Sequence, residues 1–287
     1  MKLSLKIIFL FALISGLFLT SCNSSDDDAV SQSDTQGLTL SKTITNTTHS
    51  IEIYSAKTTV ETGYQKFYLR FKNLSTGNYE NPSAVSWSPM MHMTSMQHAC
   101  PYSTLSKSVN KTNLYEGYIV FTMPSNDTEY WDLTLNYTIN GTQYTVVDKI
   151  NVVNASKKNL VFAKDTSVTP NITYVVALIE PNTPKVAVND MQVAVFKKES
   201  MMSWPIADGF TVKIDPRMPT MGNHSSPNNV NLTQSATGGF YNGKLSLTMT
   251  GYWKINLMVY MPSGTLIGGT EVTTTNEAST LYYEIEF

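Results

Sequence analysis

Trp131-Asp132-Leu133-Thr134-Leu135 alternates apolar and polar side chains, and the strand-like run continues to Ile139. A period of two places one face in a core and the other in water, the pattern of a half-buried β-strand. Asn140-Gly141 follows, then a second strand-like run over 144–152. Asn-Gly supplies the positive φ that a two-residue hairpin turn demands, so the pair reads as a β-hairpin. Further runs at 50–55, 66–72, 85–88 and 117–123 are separated by turn residues. Phe67-Tyr68-Leu69-Arg70-Phe71 shows the same alternation, and no amphipathic helix stands out.

The second half repeats this order. Tyr130-Trp131-Asp132-Leu133 is answered by Tyr252-Trp253-Lys254-Ile255, and Tyr115-Glu116-Gly117 by Tyr241-Asn242-Gly243. Phe121-Thr122-Met123 matches Leu247-Thr248-Met249, while Pro101 and Pro227 each follow a histidine, His98 or His224, by three residues. The chain therefore reads as all-β: two tandem immunoglobulin-like antiparallel sandwiches over 37–154 and 157–287, joined by the polar stretch Asn154-Ala155-Ser156-Lys157-Lys158. Trp131 and Trp253 are expected to fill the two cores.

The N-terminus reads as a lipoprotein signal peptide over 1–21. Lys2 and Lys6 flank the start, residues 7–18 are apolar but too short to span a membrane, and Leu19-Thr20-Ser21-Cys22 resembles a bacterial lipobox. Cys22 is the expected lipidation site, anchoring the mature chain to a bilayer through acyl chains. Residues 22–36 are expected to form a disordered acidic tether; Asn23-Ser24-Ser25-Asp26-Asp27-Asp28 resembles the surface-export signals of lipoproteins in the Bacteroidota. The expected location is the outer membrane, facing the periplasm or the cell surface. With Cys22 acylated, only Cys100 remains, leaving no intramolecular disulfide. The net charge of -2 becomes -4 once Lys2 and Lys6 leave with the leader. That balance offers nucleic acid no basic face.

Two stretches concentrate unusual side chains. Met90-Met91-His92-Met93-Thr94-Ser95-Met96-Gln97-His98 is answered by Met218-Pro219-Thr220-Met221-Gly222-Asn223-His224. Thioether and imidazole suit soft Cu(I), whereas hard cations want oxygen. In the second repeat the candidate ligands are Met218, Met221 and His224 on one irregular loop, with Met249 from a following strand. In the first they are Met93, Met96, His98 and Met123. The register there is open: aligning Ser88-Pro89 with Asp215-Pro216 places Met91 opposite Met218, whereas counting back from His98 places His92 there. Met90, Met91 and His92 are held as a second, exchanging set, and Cys100 as a thiolate if exposed. Methionine is otherwise a flexible core filler, the competing reading for Met123 and Met249 above all. Met201-Met202-Ser203-Trp204 reads as a loop plug, with a supporting place behind the metal ligands as its alternative, and His49, isolated among threonines, as solvated.

Residues 216–258 resemble the YtkA-like or FixH-like family. They carry Met218-Pro219-Thr220-Met221, His224, Pro227, Phe240-Tyr241-Asn242-Gly243 and Leu247-Thr248-Met249-Thr250-Gly251-Tyr252-Trp253. The first repeat keeps Met93, Met96, His98, Pro101, Tyr115, Gly117, Met123 and Trp131 but lacks the glycine before tryptophan. The resemblance implies immunoglobulin-like sandwiches of the bacterial envelope, often tied to copper handling. No nucleophile elbow, phosphate loop or HExxH motif argues for an enzyme. Asp132 is replaced by Lys254 and so is no shared catalytic group. The expectation is a lipoprotein that binds or passes copper, with a copper donor or acceptor protein as partner. The alternatives are a surface adhesion or glycan-binding module without metal, and a structural part of an envelope complex.

Overall fold

The computed structural model describes residues 34–287. The leader, Cys22 and most of the tether lie outside the described residues.

The first repeat contributes β1 (Thr39–Thr45), β2 (His49–Ser55), β3 (Gly63–Asn73), β4 (Ala84–His92), β5 (Gln97–His98), β6 (Tyr115–Phe121), β7 (Tyr130–Ile139) and β8 (Thr142–Ile150). One antiparallel sheet runs β1-β2-β3-β6 and is completed by Ser106–Lys107 beside β6 and Tyr79–Glu80 beside β3. The facing sheet runs β8-β7-β4-β5. Asn140 and Gly141 adopt φ of 50° and 78°, as the tight β7–β8 turn requires. Ile51, Phe67 and Phe71 from one sheet meet Trp87, Trp131 and Leu133 from the other in a single core. This is an immunoglobulin-like sandwich, and strand alternation places its inward residues as read from the sequence.

The second repeat contributes β9 (Leu160–Asp165), β10 (Ile172–Glu180), β11 (Ala187–Lys197), β12 (Thr211–Met218), β13 (His224–Ser225), β14 (Val230–Gln234), β15 (Tyr241–Leu247), β16 (Tyr252–Tyr260) and β17 (Leu281–Glu286). Here β14 pairs with β15 on one side and β12 on the other, so the order β9-β10-β11-β15-β14-β12-β16 is continuous. One edge of this sandwich is thereby closed, and β17 pairs with the other side of β16. Residues 261–280 are an excursion with no counterpart in the tight β7–β8 hairpin. After it, β17 pairs Ile285 with Trp253 as β8 pairs Ile150 with Trp131.

Tyr-x-Gly recurs for a physical reason. Tyr115 donates its hydroxyl to Pro82 O, and Tyr241 donates to Ala207 O, both at 2.5 Å. Each satisfies a carbonyl at the strand-to-strand corner. The glycine two residues on leaves room: a Cβ on Gly117 would lie 2.7 Å from Trp87 Cζ2, and one on Gly243 would lie 2.4 Å from Val230 O. Trp131 and Trp253 are fully buried.

The two sandwiches also share a third apolar cluster. Val120, with Tyr64 and Tyr118, packs from the outer face of β3 and β6 onto Val175, Ala177, Ile179, Ala194 and Phe196 of β10 and β11. Phe240 joins them, its ring edge-to-face with Tyr64 at 6.1 Å. Burying a valine or phenylalanine fully stabilises by about 1.5–3 kcal/mol, so this contact fixes one sandwich on the other.

Two sequence readings are corrected. His49 is not solvated: it is 1% exposed, with Nδ1 3.1 Å from Tyr137 Oη and Nε2 3.0 Å from Glu80 Oε2. Its polar neighbours satisfy both ring nitrogens, which is what permits an imidazole inside the sandwich. Cys100 is not exposed either; it is fully buried, and burial pushes its thiol well above the usual range, leaving no thiolate to donate.

Candidate functional site

Strand pairing resolves the open register. Leu133 on β7 faces Pro89 on β4, and Ile255 on β16 faces Pro216 on β12. Leu133 and Ile255 are equivalent, so Pro89 answers Pro216 and Met91 answers Met218. The hairpin partners agree, with Met91 opposite His98 and Met218 opposite His224. The turn between them is one residue longer in the first repeat, which is the indel that simple counting could not place.

Each repeat thus places the same four residues, two Met, one His and one Trp, at one end. In the first, Met91 lies opposite Trp131 on β7 and opposite His98 on β5. The His98 ring stands edge-on to Trp131, with centroids 5.6 Å apart. The indole N–H of Trp131 donates to Met123 O at 2.9 Å. In the second, Trp253 donates to Met249 O at 3.0 Å, and Met218 reaches toward Gly251, where an added Cβ would lie 3.1 Å from its Cε. The glycine before tryptophan therefore makes room for the methionine.

The candidate ligands divide by depth. Met218 is 3% exposed and ends β12, so it belongs to the core and not to a loop. Met123 and Met249 lie two residues past β6 and β15, half-buried against their cores. Met93 packs likewise, while Met96 is 48% exposed beyond the turn closed by Met93 N–H on Met96 O at 2.9 Å. Met221 is 57% exposed on the 3₁₀ turn Pro219–Met221, which Pro219 starts and the left-handed Gly222 ends, and His224 is exposed. The structure brings Met91, His98, Met123 and Trp131 to one end, a set in which Met91 takes the place equivalent to Met218.

The protonation of His98 follows from its partner. Its Nδ1 lies 2.8 Å from Ala99 O, and a carbonyl only accepts, so Nδ1 carries the proton. In the neutral ring Nε2 then holds the lone pair, the arrangement that metal-binding imidazoles adopt. His92 differs. Its Nε2 is 2.6 Å from Asp132 Oδ2, its Nδ1 is 3.0 Å from Gln97 Nε2, and its ring stacks on Tyr130 at 4.9 Å. Both of its nitrogens are engaged, and strand alternation turns Met90 away from Met91, so Met90, Met91 and His92 do not share one face. Among the described residues no three His, Cys, Asp or Glu side chains gather as they would around a hard or borderline cation.

No family model matches the chain, and no curated protein matches it. Among solved structures, FdeC, a broadly conserved Escherichia coli adhesin, is similar at 16% identity and a TM-score of 0.23. The match covers 75% of this chain and 60% of that one, so the chain spans less than two thirds of that protein's length.

Proposed function

We propose that this protein is a lipid-anchored protein of the bacterial outer membrane, a tandem YtkA-like or FixH-like pair, that binds and passes Cu(I) at the Met/His end of each sandwich. The observation that carries the reading is the register: Met, His, Met and Trp recur at equivalent positions although the turn between the first Met and the His differs in length and some neighbouring positions have changed. Asp132 has become Lys254, and Glu116 has become Asn242. Core filling alone requires apolar volume there, not a paired thioether and imidazole.

The donor chemistry fits the ion. Thioethers are soft and neutral, and they resist the disulfide loss that thiols suffer in an oxidising compartment. His98 Nε2 offers a lone pair without deprotonation. The tryptophan N–H is committed to a methionine carbonyl, which orients the indole and leaves its ring beside the histidine. Met96 and Met221, both exposed, stand where an incoming or departing ion first meets the protein.

The glycan-binding alternative needs open aromatic faces for sugars to stack on. Several surface rings are instead covered by cations: Tyr79 by Arg70 at 3.7 Å, Tyr130 by Lys149 at 3.6 Å, and Tyr282 by Lys158 at 4.2 Å. A Cu(I) titration against a competing chelator tests the proposal. Two ions per chain are expected, falling to one in His98→Ala and to one in His224→Ala. An absence of competition, with retention on a glycan array, would replace the copper reading with the glycan one.

A further inference from the structure

The two Met/His ends are not equally open. His224 is exposed and Met221 is 57% exposed, whereas His98 is only 9% exposed. Beside His98 a loop of the second repeat, residues 199–204, lies against the first. Ala99 N–H donates to Met201 O at 2.9 Å, and the carbonyl of the same Ala99 accepts from His98 Nδ1 at 2.8 Å. One residue thus connects the imidazole to the foreign loop.

That loop is a built turn. Glu199 N–H and Ser200 N–H both donate to Ser203 O, at 3.0 and 3.3 Å, and Met202 N–H donates to Ser200 Oγ at 3.1 Å. Behind it, Trp204 packs into the cluster between the sandwiches with Lys198 Nζ 5.3 Å from its ring centre. The indole N–H of Trp204 is buried and has no partner among the described residues. At the apex Met202 is 53% exposed and Met201 is half-buried. An exposed apex methionine contributes little packing, and a hydroxyl or amide would serve a solvent turn better. Met201 is thus hydrogen-bonded to the residue whose carbonyl fixes His98, and Met202 is the next residue along.

We propose that the first Met/His end is a composite site, in which Met201 or Met202 of the second repeat supplies a thioether to the soft ion held by His98. This rests on the copper reading above and adds an asymmetry to it. The first site is closed by its neighbour's loop and exchanges slowly, while the second, with His224 and Met221 exposed, exchanges fast. The inter-sandwich cluster holds the loop in place, so closure needs no domain movement.

The test uses the full chain loaded with two Cu(I) and mixed rapidly with a chelator. Release in two phases of equal amplitude is expected, and His98→Ala should remove the slow one. Met201→Leu with Met202→Leu keeps side-chain bulk but removes both sulfurs. It should speed the slow phase by about tenfold to a hundredfold, the range that losing even an outer contact to a metal ligand costs, and leave the fast phase alone. A single release phase, or a slow phase unchanged in the double variant while two ions still bind, overturns the composite site and leaves the copper reading standing. A wild-type chain that binds no Cu(I) overturns both.

Discussion

Met218→Leu separates a methionine that packs from one that also binds. Met218 is 3% exposed, sits in the core with Trp253, and brings its Cε to the space above Gly251. Leucine is close in volume, and such swaps in cores cost less than about 1.5 kcal/mol, whereas truncation to alanine costs about 2–5 kcal/mol through the cavity left behind. Without metal, Met218→Leu should therefore stay folded with a small loss, and Met218→Ala should lose several-fold more. Ligand binding adds RT ln(1 + [L]/Kd), about 2.7 kcal/mol for one site at a hundredfold excess over Kd. In wild type, buffered Cu(I) should raise the unfolding free energy of the second sandwich by that amount. In Met218→Leu most of the increment should vanish although the apo protein is nearly unchanged. Urea unfolding followed by tryptophan emission, with and without Cu(I), measures both terms. A full copper increment in Met218→Leu would show that the sulfur is core filling, and the reasoning from register to ligand would fail.

Other expectations concern the frame. Gly243→Ala should destabilise more than Gly117→Ala, at the upper end of the roughly 1–3 kcal/mol that overpacking costs, because its Cβ meets the Val230 carbonyl whereas Gly117 meets side chains; equal losses in thermal unfolding would contradict this. Burial alone would raise the Glu52 carboxyl, but hydrogen bonds from Tyr54 and Arg70 outweigh it and hold it below its ordinary value of 4.5. Its contribution is thus present above that value and is lost as pH falls through the lowered one. Arg70→Gln should flatten the acid limb of the stability profile, and an unaltered limb would count against the assignment. Cys100, buried with a raised thiol, should resist an aromatic disulfide reagent in the native protein and react once in denaturant.

Much of the frame was legible because period-two patterning and turn chemistry act locally. Trp131 to Leu135, and the Asn140-Gly141 turn after them, specify their hairpin with no help from the rest of the chain. The duplication was legible as well, since Tyr-x-Gly and the tryptophan are held by the close contacts a sandwich imposes. Register at the Met/His end was not. Four methionines within seven residues offer several alignments, and only the pairing of Leu133 with Pro89 and of Ile255 with Pro216 selects Met91. Nor was the burial of His49 visible, because its partners Tyr137 and Glu80 are distant in sequence. Met201-Met202-Ser203-Trp204 read as a loop plug, and the contact of this loop with Ala99 depends on how two sandwiches pack, which no local pattern encodes.

X-ray absorption at the copper edge, on the chain loaded with two Cu(I), tests the central claim most directly. The expected spectrum has a sulfur shell near the roughly 2.3 Å typical of such metal–sulfur bonds and about one imidazole nitrogen per copper. A shell of nitrogen and oxygen alone, with no sulfur, would show that the methionines at these two ends do not hold the ion.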